Sequence, residues 1–203
     1  MAMRFHQIVL AAILALSPAA ASAQQGLSHM AIEGNLGISS FSGDLSAESA
    51  APTYGMTVAV GQHTWSNSSS IAKTLGGLGS LWNLNLTSIA SKTKSSNSFP
   101  FNQHKSFSVL ATSISPTLCA LTEAPLQACF GVGWEEFDVQ QGSDNEQIYG
   151  TTLWSLAIGQ YMSEELHAGV KLNYRSVTQT VSGTRSSFAV LSVLLSVGWQ
   201  FKT

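Results

Sequence analysis

The stretch from Phe188 to Phe201 constrains the fold of this chain more than any other part of the sequence. Read in steps of two, one side is apolar throughout. That side consists of Ala189, Leu191, Val193, Leu195, Val197, Trp199 and Phe201, and the other side includes Ser192, Ser196, Gly198 and Gln200. A repeat of two residues predicts a β-strand, because successive side chains of a strand point to opposite faces. An apolar row that ends in two aromatic residues is typical of a strand whose outer face contacts lipid.

Similar alternation recurs along the chain and predicts eight strands in all, the even number that a single-chain bacterial barrel requires. The seven earlier strands are predicted at about 30–41, 53–61, 79–91, 107–118, 128–137, 148–160 and 166–177. On the fourth strand we expect Phe107, Val109 and Ala111 to face outward. Long outer loops are predicted at 43–52, 92–105, 138–147 and 178–186, with compact turns at the other end. The segment His63 to Gly79 is read as a turn that merges into the third strand.

A soluble barrel of the lipocalin type would also show eight alternating strands, and the composition of the second face decides between the two. Here that face is mostly Gly, Ser, Thr, Asn and Ala, which fit a narrow lumen. Charged residues are only 10% of the chain, whereas a wet outer surface would carry many. Aromatic residues suited to the membrane interfaces are Trp82, Trp134, Tyr149, Tyr161, Trp199 and Phe201. We therefore predict an all-β, eight-stranded, antiparallel up-and-down transmembrane β-barrel.

The first residues have the pattern of a signal peptide. Arg4 is followed by an apolar run at 8–16 that is too short for a membrane helix, and Ala21-Ser22-Ala23 is a small-residue cleavage site. The predicted domains are a signal peptide at 1–23 and a barrel at 24–203. Removing Arg4 from nine Lys+Arg leaves eight against eleven Asp+Glu, a net charge of −3 for the mature chain. The mature chain therefore has no excess of basic residues that would indicate nucleic-acid binding.

Signal peptide, alternation, strand count and closing strand together resemble the small eight-stranded outer-membrane proteins. These include the membrane domain of outer-membrane protein A and the outer-membrane protein X group. The resemblance implies a place in the outer membrane of a Gram-negative bacterium, among outer-membrane lipids and lipopolysaccharide. It also implies that Val197, Trp199 and Phe201 form a C-terminal signal for the barrel-assembly machinery, although Lys202 and Thr203 follow. The oligomeric state stays open, with a monomer as the expectation.

Two groups of residues carry the chemical predictions. Cys119 and Cys129 flank a turn that contains Pro125, and in an exported chain such a pair predicts a disulfide rather than a metal site. The inward charges Glu33, Glu135, Lys171 and Arg175 predict a network that plugs the lumen, since a charge in so narrow an interior must be paired or hydrated. The alternative for these charges is a gate for a small solute.

We predict a structural role in the envelope, with no enzyme activity, no cofactor and no metal. A lipid A-modifying enzyme would need an activated serine and a His with an acidic partner, and the one His with Ser two residues on is His104, which lies in a predicted loop. The histidines, including His167, are expected to be solvated. The alternative function is adhesion or ligand binding through the outer loops, of which one is basic at Lys92, Lys94 and Lys105.

Overall fold

A computed structural model describes residues 29–66, 78–96, 105–122, 126–141, 144–163, 165–181 and 184–202. Eight strands run in chain order: β1 (His29–Gly43), β2 (Ala51–Ser66), β3 (Leu78–Lys94), β4 (Ser106–Thr122), β5 (Leu126–Gln141), β6 (Asp144–Tyr161), β7 (Leu166–Val181) and β8 (Thr184–Lys202). Each strand pairs antiparallel with the next, and β8 pairs with β1 to close the barrel. Closure pairs the strands on both sides around the terminal half of the barrel, as a lipid environment requires, whereas β6 and β7 pair with each other only from Thr152↔Ser176 to Tyr161↔His167. The predicted fold class and strand count are confirmed.

The strands are longer than the sequence pattern indicates. They contain 15 to 19 residues, whereas about 9 to 11 residues suffice to cross a bilayer. Two of the predicted outer loops are therefore wrong, because 138–147 and 178–186 are mostly strand and leave only 142–143 and 182–183 as connections. The predicted contrast of long outer loops with short inner turns fails for the same reason. Most of the segment His63 to Gly79 lies outside the described residues.

We call the end of the barrel at His29 and Lys202 the terminal end, and the opposite end the distal end. Near the terminal end the outer face is apolar and exposed. This face includes Leu36, Met56, Leu118, Phe130, Trp154, Ile158, Leu195, Val197, Trp199 and Phe201. The lumen of this terminal section is lined by polar side chains such as Asn35, Thr57 and Asn173. Apolar outside and polar inside is the arrangement that lipid imposes on a barrel.

Beyond Glu135 and Arg175 the two faces exchange character, and we call this part the distal section. Its exposed outward residues include Ser40, Ser42, Lys92, Lys94, Ser176 and Thr178. Its buried inward residues include Phe41, Phe107, Val109, Phe137, Phe188 and Val190. The prediction that Phe107, Val109 and Ala111 face outward is wrong, because this part of the barrel is built like a soluble protein, with its apolar side chains inside. Among the described residues, no helix is long and apolar enough to cross a membrane.

Candidate functional site

The lumen of the terminal section contains a cavity of about 60 Å³, which we call the vestibule. Its walls are short polar side chains from every strand, together with one cluster of ionisable groups. The lining includes Glu33, Asn35, Thr57, Asn83, Asn85, Thr117, Ser155, His167, Lys171, Asn173 and Ser196. Near the terminal end the half-buried side chains of Gln127, Tyr161 and Gln200 also line it, so solvent reaches this side of the cavity.

The ionisable cluster joins the two strands that flank β8. Glu33 on β1 accepts hydrogen bonds from the Lys171 ammonium and from Nε2 of His167 at 2.9 Å, both on β7. Gly198 on β8 lies between His167 and Glu33 in the register, and a Cβ there would lie 2.2 Å from the His167 ring. The missing side chain therefore lets His167 on β7 and Glu33 on β1 form a hydrogen bond across the closing strand.

Cys119 and Cys129 face the vestibule near the terminal end, on the hairpin of β4 and β5. They pair directly across the two strands and are joined by a disulfide with an S–S distance of 2.07 Å, as the sequence predicts. Both are buried, with Ala157 and Tyr161 packed against them. The Tyr161 ring also contacts the His167 ring at 5.8 Å between centroids. Disulfide, tyrosine and histidine thus form the rim of the vestibule.

A polar belt crosses the lumen at the boundary between the two sections. Arg175 donates from Nε to Glu135 and from Nη1 to the Ser192 hydroxyl at 2.7 Å. Hydroxyl to hydroxyl bonds continue it around the wall, linking Ser192 to Ser39 at 2.7 Å, Ser39 to Thr53 at 2.8 Å and Thr53 to Ser91 at 2.8 Å. The belt connects β5, β7, β8, β1, β2 and β3. Glu135 and Arg175 are each only 1% exposed. A buried charge is costly without an opposite charge in direct contact, and here each of the two residues supplies that charge to the other.

The distal section above the belt is packed with an aromatic core, which leaves a cavity of only about 10 Å³ beside the belt. Phe41 packs edge-on against Phe107 with ring centroids 5.6 Å apart, and Phe137 against Phe188 at 6.1 Å. Such edge-to-face pairs are favourable beyond the area that they bury. The guanidinium carbon of Arg175 lies 5.9 Å from the centroid of Phe137, which joins the belt to this core.

The segment between β1 and β2 folds over the distal opening. Leu45 is buried in the aromatic core, and Ala47 packs against it. The backbone N–H of Glu48 donates to the carbonyl of Lys94 at 3.0 Å, and that of Ser96 donates to the carbonyl of Ser46 at 2.9 Å. This segment is therefore held against the end of β3 and against the core at the distal opening.

The four charges predicted as one network lie in two clusters. Glu33 and Lys171 are in the vestibule, while Glu135 and Arg175 are in the belt. Sequence reasoning missed His167, which is buried rather than solvated, and the belt hydroxyls. The sequence indicates the belt only weakly. Its serines and threonine lie at inward positions of successive strands, but serine and threonine are common at inward positions throughout the barrel, so these four do not stand out. Val197, Trp199 and Phe201 point outward, as predicted for the closing strand, and their part in assembly stays a prediction.

No protein-family model matches the chain, and no curated protein matches it. Among solved structures, the chain is similar to Neisserial surface protein A, at 10% identity over 85% of this chain and 97% of that chain, with a TM-score of 0.55. It is also similar to Ail, the attachment invasion locus protein of Yersinia pestis, solved in complex with the heparin analogue sucrose octasulfate. That match has 10% identity, covers 88% of this chain and all 100% of the other, and has a TM-score of 0.51.

At this identity the likenesses show the fold, and the fold is that of small outer-membrane β-barrels. The closed eight-stranded barrel and its exposed apolar girdle agree with it. The chain thus has the architecture and the lipid-facing surface of a Gram-negative outer-membrane protein, and the predicted resemblance is confirmed. Within the described part of the chain, no three His, Cys, Asp or Glu residues lie together as metal ligands would.

Proposed function

We propose that the protein is a structural, non-conducting barrel of the outer-membrane envelope. The observation that carries the proposal is the closure of the lumen, where the belt, the aromatic core and the segment over the distal opening lie in series. Glu135 and Arg175 are buried in a direct ion pair, and Phe107 and Phe137 are each 1% exposed. A hydrated ion would have to displace both layers, and the interior of an eight-stranded barrel has little spare width.

The test is single-channel recording in planar lipid bilayers. We expect no conductance steps from the native protein, and none from Arg175→Ala, because the aromatic core still fills the distal section. A gate built on the ion pair alone would instead make Arg175→Ala conduct. Regular conductance steps from the native protein would contradict a structural, closed barrel.

We infer that the protein is exported and then assembled into the outer membrane. Residues 1–23 act as a signal peptide, the terminal end faces the periplasm, and the outward residues Val197, Trp199 and Phe201 are read by the barrel-assembly machinery. Support comes from the sequence pattern and from the exposed, lipid-suited positions of these three side chains. Membrane fractionation with N-terminal sequencing tests this, with Gln24 expected as the first residue. Recovery of a soluble periplasmic species would contradict it.

We assign no catalysis to the vestibule. His167 is held by Glu33, and its Nδ1 atom has no hydrogen-bond partner among the described residues. No described serine hydroxyl is therefore positioned for His167 to activate, as nucleophilic catalysis by serine requires.

A second candidate function is the binding of sulfated or phosphorylated polyanions at the distal end. Lys92 and Lys94 are exposed on the outward face of β3, and Lys105 is exposed immediately before the neighbouring β4. Support by analogy comes from Ail, whose structure holds a heparin analogue. Charge-assisted contacts of this kind weaken as salt rises, which makes them easy to recognise.

Retention on heparin resin tests this second candidate. We expect the native protein to bind at low salt, the variant with Lys92→Gln and Lys94→Gln to elute early, and the matched variant with Lys92→Arg and Lys94→Arg to bind like the native protein. Equal elution of all three proteins would remove the candidate and leave the structural role alone.

A further inference from the structure

The vestibule contains buried acceptor atoms that the protein itself does not satisfy. Oδ1 of Asn35, Oδ1 of Asn83 and Nδ1 of His167 are buried and have no partner among the described residues, and all three residues line the cavity. For His167 the chemistry fixes the assignment. The Glu33 carboxylate only accepts, so Nε2 carries a proton, and in the neutral ring Nδ1 then has a free lone pair.

These three atoms do not converge on one point. In the strand register Asn35 lies two residues beyond Glu33 toward the belt, whereas His167 pairs with Gly198, which itself pairs with Glu33. Asn83 is on β3, on the other side of the lumen. A single compact ion cannot serve all three, but several small hydrogen-bond donors can.

The size of the cavity agrees with that reading. At roughly 10 to 15 Å³ of accessible space for each molecule, about 60 Å³ holds about four to six waters. The charges of Glu33 and Lys171 cancel, so the cavity has no net charge that would select an anion or a cation while His167 is neutral. Leaving polar groups unsatisfied in the lumen would be costly, and water is the donor that reaches the half-buried terminal side.

We propose that the vestibule is an aqueous half-channel that binds water and admits small hydrophilic molecules from the terminal end only. Its inner limit is the belt of Arg175 and Glu135, and the aromatic core keeps the distal section dry. The inference goes beyond a structural barrel, because it gives the protein a one-sided binding cavity. It rests on the closed lumen of the proposed function.

Two alanines of β2 supply a matched test. Ala51 and Ala59 are eight positions apart on the same strand and face, and they are 0% and 2% exposed. Ala59 lines the vestibule, and Ala51 packs in the aromatic core beyond Thr53 of the belt. Each is replaced by cysteine, and the folded proteins are treated with methanethiosulfonate ethylammonium. The native protein, whose two cysteines are paired, gives the background.

We expect Ala59→Cys to react faster than Ala51→Cys on the order of a hundredfold, because the latter must wait for local opening of the barrel. Both variants are first checked for compact migration on unboiled gels and for equal reaction after denaturation. If neither folded variant reacts, the vestibule is not open to solvent and the inference fails. The absence of conductance steps in planar bilayers would then still support the closed barrel. If both react equally fast, the distal core is not a seal, and the inference fails together with the closed lumen.

Discussion

The terminal and distal sections of the barrel place their apolar residues on opposite faces. The apolar residues face outward in the terminal section and inward in the distal section. In the terminal section Leu195 and Val197 contact the surroundings while Ser196 faces the lumen. Toward the distal end of the same strand, beyond Ser192 of the belt, Phe188 and Val190 face the lumen. One alternating strand therefore serves both sections, since a period of two supplies two faces and does not specify which of them is wet. Which face is apolar in each section depends on whether lipid or water surrounds that part of the barrel.

The two sections consequently depend on different forces. Lipid tails are as apolar as a protein core, so the outward leucines of the terminal section gain little from packing, and that section depends on strand hydrogen bonds and on its interior pairs. The distal section buries apolar area away from water, as soluble domains do. The belt lies between them and belongs to both, because Arg175 contacts Ser192 on one side and Phe137 on the other.

The largest expected effect is at the belt that separates the sections. Arg175→Ala should lower the free energy of unfolding by about 3 to 5 kcal/mol, because it leaves the buried Glu135 without its partner. Glu135→Ala should cost a similar amount, and the double variant less than the sum of the two. Urea unfolding in lipid vesicles measures the double-mutant cycle. Additive effects would mean that the two charges do not stabilise each other.

The disulfide tests how the terminal section is held together. Cys119→Ser removes a cross-link between residues that are already paired in a closed barrel, so the variant should still assemble. The loop is short, with a separation of 10 residues, and loop-closure entropy gives a loss of about 2 to 3 kcal/mol. Thermal unfolding followed by heat-modifiable gel migration checks the size of the loss, and the reduced native protein serves as control. If both cysteines are free to thiol reagents in the unreduced, denatured protein, the pairing does not form.

The sequence predicts the barrel well because the two-residue alternation of apolar and polar side chains indicates a strand whichever face contacts water. Eight alternating segments, the closing strand and the Cys119–Cys129 hairpin follow from periodicity and spacing alone. The error at Phe107 and the two false loops share one cause. The rule that apolar residues face lipid was applied to the distal section as well, where polar outward residues made the strands look like loops. His167 was missed because its burial depends on Glu33, 134 positions away.

A matched pair of valines sharpens the contrast between the sections. Val109 is 3% exposed in the distal core, and Val197 is 56% exposed on the lipid face of the terminal section. Val109→Ala should cost about 2 kcal/mol, from two lost methyl groups and the cavity that they leave. Val197→Ala should cost clearly less, because lipid can fill the space. Equal losses on urea unfolding would mean that the lipid face is packed as specifically as the distal core.

The smallest effect concerns the glycine beneath the vestibule cluster. An alanine Cβ at position 198 would lie 2.2 Å from Cε1 of His167 and 2.7 Å from Cγ of Glu33, so these two side chains must move apart. Because side chains rather than backbone must yield, we expect Gly198→Ala to cost about 1 to 2 kcal/mol. Gly34→Ala is the matched control, since its Cβ would point outward with its nearest contact at 3.9 Å. The control should be close to neutral or slightly stabilising. If the two substitutions cost the same in urea unfolding, the loss belongs to the glycine backbone, and the His167–Glu33 hydrogen bond across the closing strand does not stabilise the terminal section.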